Sequence, residues 1–178
     1  ILSSRGDGNV FYGFSEPSGN GDIYLQKYNS NGDNFWSQPQ LIANNIGDDV
    51  VKGLFPTDDG GCIIIYDFLF FPDFRLKLAR IDSDGTLIAN WDNIVISTDG
   101  EDSFFEAAVQ TSNGIFVTWR NDVNNLYGMH IPFIISDPAS LNSVTISGAG
   151  ELYPNSVSLD YSLELDELLT CWQGEIGS

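Results

Sequence analysis

Short runs in which almost every residue is apolar alternate along this chain with runs in which apolar and polar residues take turns. Four of the first kind share one layout: Gly8 to Phe14, Gly61 to Asp67, Gly114 to Arg120 and Glu167 to Gln173. Their first residues, 8, 61, 114 and 167, stand a constant 53 positions apart. Two residues into each run come Val10, Ile63, Phe116 and Leu169; three residues in come Phe11, Ile64, Val117 and Thr170; five residues in come Gly13, Tyr66, Trp119 and Trp172. Both faces of such a strand are apolar, which predicts a strand covered on both sides. A fixed period of this size is the mark of a repeat architecture.

The second kind of run follows each of the first three. Ile23, Leu25 and Tyr28 recur as Leu76, Leu78 and Ile81, and as Met129, Ile131 and Ile134. Gln26, Lys77 and Arg80 lie among them, so the pattern predicts a strand with one packed and one wetter face. Asn29-Ser30-Asn31-Gly32 and Asp82-Ser83-Asp84-Gly85 come next, and both suit a tight turn, since Gly adopts positive φ cheaply. Ser136-Asp137-Pro138 replaces that turn in the third repeat. A short third strand is predicted at Gln40 to Ile42, Ile94 to Ile96 and Val144 to Ile146. A fourth is predicted at Val50 to Phe55, Phe104 to Val109 and Val157 to Tyr161, with the turns Asp58-Asp59-Gly60 and Ser112-Asn113-Gly114 closing the first two.

Four antiparallel strands in about 50 residues describe the blade of a β-propeller. The alternative is a β-sandwich, which does not require a constant period. The approximate repeats are 8–60, 61–113 and 114–166, with a partial one at 167–178. The expectation is an all-β chain of about three blades plus an extra strand. Rings of blades close with four to eight, so the chain is expected to be a segment of a longer propeller. The start at Ile1, without Met, is read as a processed or truncated chain.

Charge narrows the function. Twenty-five acidic residues stand against seven basic ones, a net charge of −18. Nucleic-acid binding needs a basic surface and is not expected. No apolar run reaches the roughly 18 residues of a membrane helix, so no membrane insertion is expected. Cys62 and Cys171 fall at different repeat positions and are expected to remain unpaired, each a small apolar residue.

The run from Asp22 through Trp36, read as D-I-Y-x-Q-K-x-[DN]-x-[DN]-G and then Trp, resembles the propeller repeats of large secreted and cell-surface bacterial proteins. Leu41-Ile42, Asp59-Gly60-Gly61 and Cys62 to Tyr66 continue the likeness. The second repeat keeps Leu76 to Gly85 and Trp91; the third keeps Leu126 to Met129 and loses the turn. Many proteins with such repeats are cargo of the type IX secretion route. The resemblance implies an extracellular or cell-surface module for adhesion, binding or scaffolding. Its partners would be a protein or glycan at the blade loops, together with the rest of the parent chain or the secretion machinery.

Catalytic readings find little support in the pattern. Sialidase-like propellers carry Ser-x-Asp-x-Gly-x-x-Trp and an arginine cluster. Here Trp36 stands four residues after Gly32 and Trp91 six after Gly85, while Arg5, Arg75, Arg80 and Arg120 occupy unrelated positions. His130, the one histidine, aligns with Tyr24 and Lys77 by counting and is read as a strand residue. No G-x-S-x-G motif accompanies it, and zinc would want more His or Cys. Asp48-Asp49, Asp58-Asp59 and Glu101-Asp102 are carboxylate pairs of the kind glycosidases use, but they fall at recurring turns. No enzyme and no cofactor are expected. The alternatives are a carbohydrate-active enzyme, sialidase- or glycosidase-like, whose catalytic residues lie outside this segment, a secretion-system cargo passenger whose contacts are with its export machinery, and calcium at Asp82 and Asp84, although the EF-hand spacing is absent. The leading candidate for binding is aromatic. Phe68, Phe70, Phe71 and Phe74 gather around Pro72 in an insertion between the first two strands of the second repeat, and exposed apolar patches mark contacts.

Overall fold

A strand with two apolar faces must be covered on both, and the chain answers with repeated small sheets. The computed structural model describes residues 1–4, 6–16, 21–97, 102–134, 138–147 and 153–175. Its strands are β1 (Leu2–Ser4), β2 (Val10–Ser15), β3 (Ile23–Tyr28), β4 (Gln40–Ala43), β5 (Asp48–Pro56), β6 (Cys62–Phe70) and β7 (Asp73–Ile81). They continue as β8 (Ile94–Val95), β9 (Ser103–Gln110), β10 (Gly114–Asn121), β11 (Leu126–Pro132), β12 (Val144–Ser147), β13 (Tyr153–Ser162) and β14 (Glu167–Glu175). A 3₁₀ turn at Pro138–Ser140 is the helical element among the described residues. The chain is therefore all-β, as its pattern predicts.

Each group of four consecutive strands forms one antiparallel sheet in chain order: β1 to β4, β5 to β8 and β9 to β12; β13 and β14 form a hairpin. The sheets run one strand ahead of the sequence repeats. Val50 to Phe55, the last strand of the first repeat, lies in β5 and pairs with β6 in register Val51↔Tyr66 and Pro56↔Cys62.

The chain divides into two compact units, Ile1–Val95 and Ile96–Ser178. In the first, the sheet of β1–β4 packs on the sheet of β5–β8. Phe11, Leu25, Trp36 and Ile42 meet Leu54, Cys62, Ile64 and Tyr66 in one buried cluster. Fully burying a side chain such as Leu25 or Ile64 contributes about 1.5–3 kcal/mol. Gly13 stands where the other repeats carry Tyr66 and Trp119, because the sheets approach closely there. A Cβ on Gly13 would meet Leu54 Cδ2 at 3.2 Å.

The third strand of each of the first two sheets, which is the second strand of its repeat, departs from the expected wet face. Gln26, Lys27 and Lys77 are all buried. Each polar head finds local compensation. Gln26 Nε2 donates to the Trp36 carbonyl at 3.1 Å, and Lys27 Nζ donates to the Gly60 carbonyl at 2.8 Å. Lys77 Nζ sits 3.8 Å over the Phe68 ring. Long amphipathic side chains can cover apolar surface in this way while their heads find partners.

In the second unit, Ile115, Val117, Trp119, Leu126, Met129 and Ile131 are buried. Trp119 stacks on Tyr127 with ring centroids 5.8 Å apart. Met129 and Ile131 are strand residues of β11, but Ile134 lies beyond the strand and is 95% exposed. The connection between β10 and β11 is short, so gapless counting slips there. The register pairs His130 with Phe116, as Arg80 pairs with Ile63. His130 thus corresponds to Arg80, and the correspondence with Tyr24 and Lys77 is corrected.

Candidate functional site

At the end of the first unit where β3 and β7 terminate, turn chemistry uses up the polar groups. Asn29 Oδ1 accepts from the backbone N–H of Asn31 at 2.9 Å and of Asp33 at 3.0 Å. Asp82 Oδ1 accepts from Asp84 and Thr86, both at 2.9 Å. These are the same two bonds in two repeats, with Gly32 and Gly85 both at positive φ. Trp36 seals the second turn by donating Nε1–H to the Ser83 carbonyl at 3.1 Å. A side chain on Gly85 would strike this indole, whose Cε2 lies 3.1 Å from the Cβ position.

The calcium candidates are therefore a turn cap, Asp82, and an exposed neighbour, Asp84. Among the described residues, no three His, Cys, Asp or Glu side chains gather where they could hold a metal ion. Asp59 is similarly engaged. It accepts from the Thr57 hydroxyl and from the Gly61 N–H, and its Oδ2 pairs with Arg80 at 2.8 Å. Partial burial opposes ionisation, but these partners hold its carboxyl below the usual carboxylate range. His130 occupies the matching place in the second unit, with Nε2 3.2 Å from the Thr111 hydroxyl; its burial lowers its basicity. Arg120 pairs with Glu106 at 2.6 Å. Arg5, Glu101 and the Ser136-Asp137 turn residues lie outside the described residues.

The aromatic candidates sit at the other end of β6 and β7, and three of the four lie in the strands instead of a loop. Phe68 and Phe70 belong to β6 and Phe74 to β7; Phe71 and the cis-linked Pro72 make the two-residue connection. The strands run on because Tyr66, Phe68 and Phe70 continue one face and Asp67 and Leu69 the other, and Pro72 ends the ladder. Cross-strand pairs Phe68↔Arg75, Leu69↔Phe74 and Phe70↔Asp73 carry the register to the tip. Phe68 and Phe70 stack with centroids 6.1 Å apart, and Lys77 caps the inner ring. Phe74 is half-buried, on the opposite face from Phe68 and Phe70. Phe70 is 44% and Phe71 83% exposed. The four phenylalanines thus divide into anchors and an exposed tip.

Beside this hairpin a second feature appears. An open cavity of about 240 Å³ lies between the outer strands of the two sheets, lined by residues 41–45 on one side and by Leu87, Asp92 and Asn93 on the other. A relay of hydrogen bonds runs behind it. The Tyr66 hydroxyl donates to Asn93 Oδ1 at 3.0 Å, and Asn93 Nδ2 donates to Asn45 Oδ1 at 3.3 Å. Asn45 Nδ2 donates to Asp49 Oδ2 at 2.8 Å. Asp49 is fully buried, and its Oδ1 has no hydrogen-bond partner. Burial pushes the Asp49 carboxyl up, against the Asn45 bond and the nearby Lys77 charge. Burial likewise pushes the Tyr66 phenol up and holds Lys77 below the usual lysine value.

Nothing in the repeat pattern singles out this cavity. Asn44-Asn45 and Asp92-Asn93 read as ordinary connector residues, and their meeting depends on how the two sheets pack. Cys62 is buried in β6, where its thiol is pushed up by burial, and Cys171 is exposed on β14; both are free thiols. No helix of the described residues is long and apolar enough to cross a membrane. No protein-family model, curated protein or solved structure matches the chain.

Proposed function

We propose that this chain is part of a β-propeller from an exported bacterial protein and serves as a non-catalytic binding or scaffolding module outside the cell. The propeller reading is supported by three successive four-stranded antiparallel sheets, each in chain order, at the 53-residue spacing of the apolar runs. The exported setting and the link to type IX cargo rest on the resemblance of the Asp22 to Trp36 repeat alone.

The observation that carries the binding role is the exposed aromatic pair Phe70 and Phe71 on a rigid hairpin. Phe70 is held on a paired strand and Phe71 on the two-residue turn beside it, and a large ring held by a paired strand loses little conformational freedom on contact, which favours recognition. The turn carboxylates and His130 are occupied in local hydrogen bonds and ion pairs, which supports a non-catalytic role. The test is an array of bacterial and host glycans and surface proteins probed with the intact parent protein and with F70S/F71S. Loss of binding in the double variant, at an unchanged melting temperature, is the expected result. Retained binding would remove the hairpin from the site, and turnover of a bound glycan would replace this reading with the glycosidase one.

A further inference from the structure

The cavity between β4 and the segment leading into β8 has a chemistry of its own. Its polar lining is four carboxamide or carboxylate residues in two segments, Asn44-Asn45 and Asp92-Asn93. Leu41 and Leu87 supply apolar surface beside them. Carboxamides offer donors and acceptors together without net charge. A cavity so lined can satisfy a group that also gives and receives hydrogen bonds.

The amides are also fixed in orientation before anything binds. The Tyr66 hydroxyl takes one acceptor site of Asn93, which turns the Asn93 N–H₂ toward Asn45, and Asp49 takes one N–H of Asn45. Asn93 keeps one further N–H and one further lone pair, and Asn45 keeps one further lone pair. A buried carboxylate with a bare oxygen terminates the relay. An aspartate fully removed from water is costly unless it is strongly bonded, and a packed core alone gives no reason to keep one there. Here it locks the amide that faces the cavity. Groups held in this way lose little freedom on binding, which favours affinity for a small ligand.

We infer that this cavity binds a single neutral sugar residue, with its hydroxyls on Asn45 and Asn93 and a C–H face against Leu41 and Leu87. Size agrees with this choice, because about 240 Å³ falls below the roughly 300–1,000 Å³ of pockets for drug-sized molecules. Charge agrees as well. Asp92 at the rim and the net charge of −18 disfavour an anion. For a cation, the carboxylate that ends the relay, Asp49, is already opposed by the Lys77 charge. The site is separate from the Phe70–Phe71 tip, and its case does not rest on the binding role of that hairpin.

The test is solution NMR on the intact protein, following the side-chain amide signals of Asn45 and Asn93 during titration with neutral hexoses and N-acetylhexosamines. Saturable shifts of both amides with at least one neutral sugar are expected. Affinity should fall at least tenfold in Asn93→Ala and also weaken in Asn44→Ala, an exposed lining position that leaves the relay intact. F70S/F71S should bind the sugar unchanged. The inference is overturned if no neutral sugar moves these amides, or if calcium or a sialic acid moves them and neutral sugars do not. It is also overturned if F70S/F71S weakens sugar binding as much as Asn93→Ala does, because the sugar would then sit at the hairpin tip.

Discussion

The two ends of the strands in the first unit are built from similar residues and treat them differently. At the turn end, Asn29, Asp59, Asp82 and Trp36 spend their hydrogen-bonding side-chain groups on neighbouring backbone or on nearby side chains. Toward the hairpin, Asp49 keeps a buried oxygen without a hydrogen bond, three asparagines line a cavity, and two phenylalanines face water. Acidic and aromatic content alone would rank the ends alike. What separates them is whether the chain satisfies its own groups. A self-satisfied end is architecture; an end that leaves directed groups open is where a ligand has something to gain.

Trp36→Ala should break the architectural end most severely. It empties a buried indole site and frees the Ser83 carbonyl, and large aromatic deletions cost about 3–5 kcal/mol. Urea unfolding of the variant measures this, and an unchanged midpoint would mean that the indole does not hold the two sheets together. Asp82→Ala should cost about 1–2 kcal/mol, since two backbone N–H groups lose their acceptor at roughly 1 kcal/mol each. Asn29→Ala should cost the same within error, because the two residues make matching bonds. A large gap between them would show that the two turns are not equivalent.

Asp49→Asn should act in the opposite direction. The folded-state pKa of Asp49 is raised, so the native state binds the proton more tightly than the unfolded chain. Stability from this group is then full at low pH, below the unfolded value, and is lost as pH rises through the folded one. The asparagine variant keeps an acceptor for Asn45 and should be more stable than wild type at neutral pH, by on the order of 1 kcal/mol. The advantage should vanish in acid. Thermal melts across that pH range check the sign; a variant less stable at every pH would mean that the charge itself is needed. Phe71→Ser should change stability least, by less than about 0.5 kcal/mol, because its ring is 83% exposed. A marked loss would place that ring in the core.

Much of the fold was legible because it is periodic. Apolar runs 53 residues apart placed β2, β6, β10 and β14, and the Asn-Gly and Asp-Gly signals placed the turns. These features are local: side-chain alternation and positive φ at glycine act within a few residues. Gln26 and Lys77 misled the pattern because a polar head that finds a carbonyl or a ring leaves no mark in its own sequence. His130 was misaligned because a short hairpin connection changes register without changing composition.

The chain's own order of residues determined four-strand units, their spacing, their turns and a net charge of −18. Tertiary packing alone decided that Phe68 anchors while Phe71 projects. It also decided that Asn45, separated by 48 positions from Asn93, comes within 3.3 Å of it. The physical reason is range. Strand and turn preferences are written in neighbouring residues, whereas a cavity is the space left when two distant sheets meet.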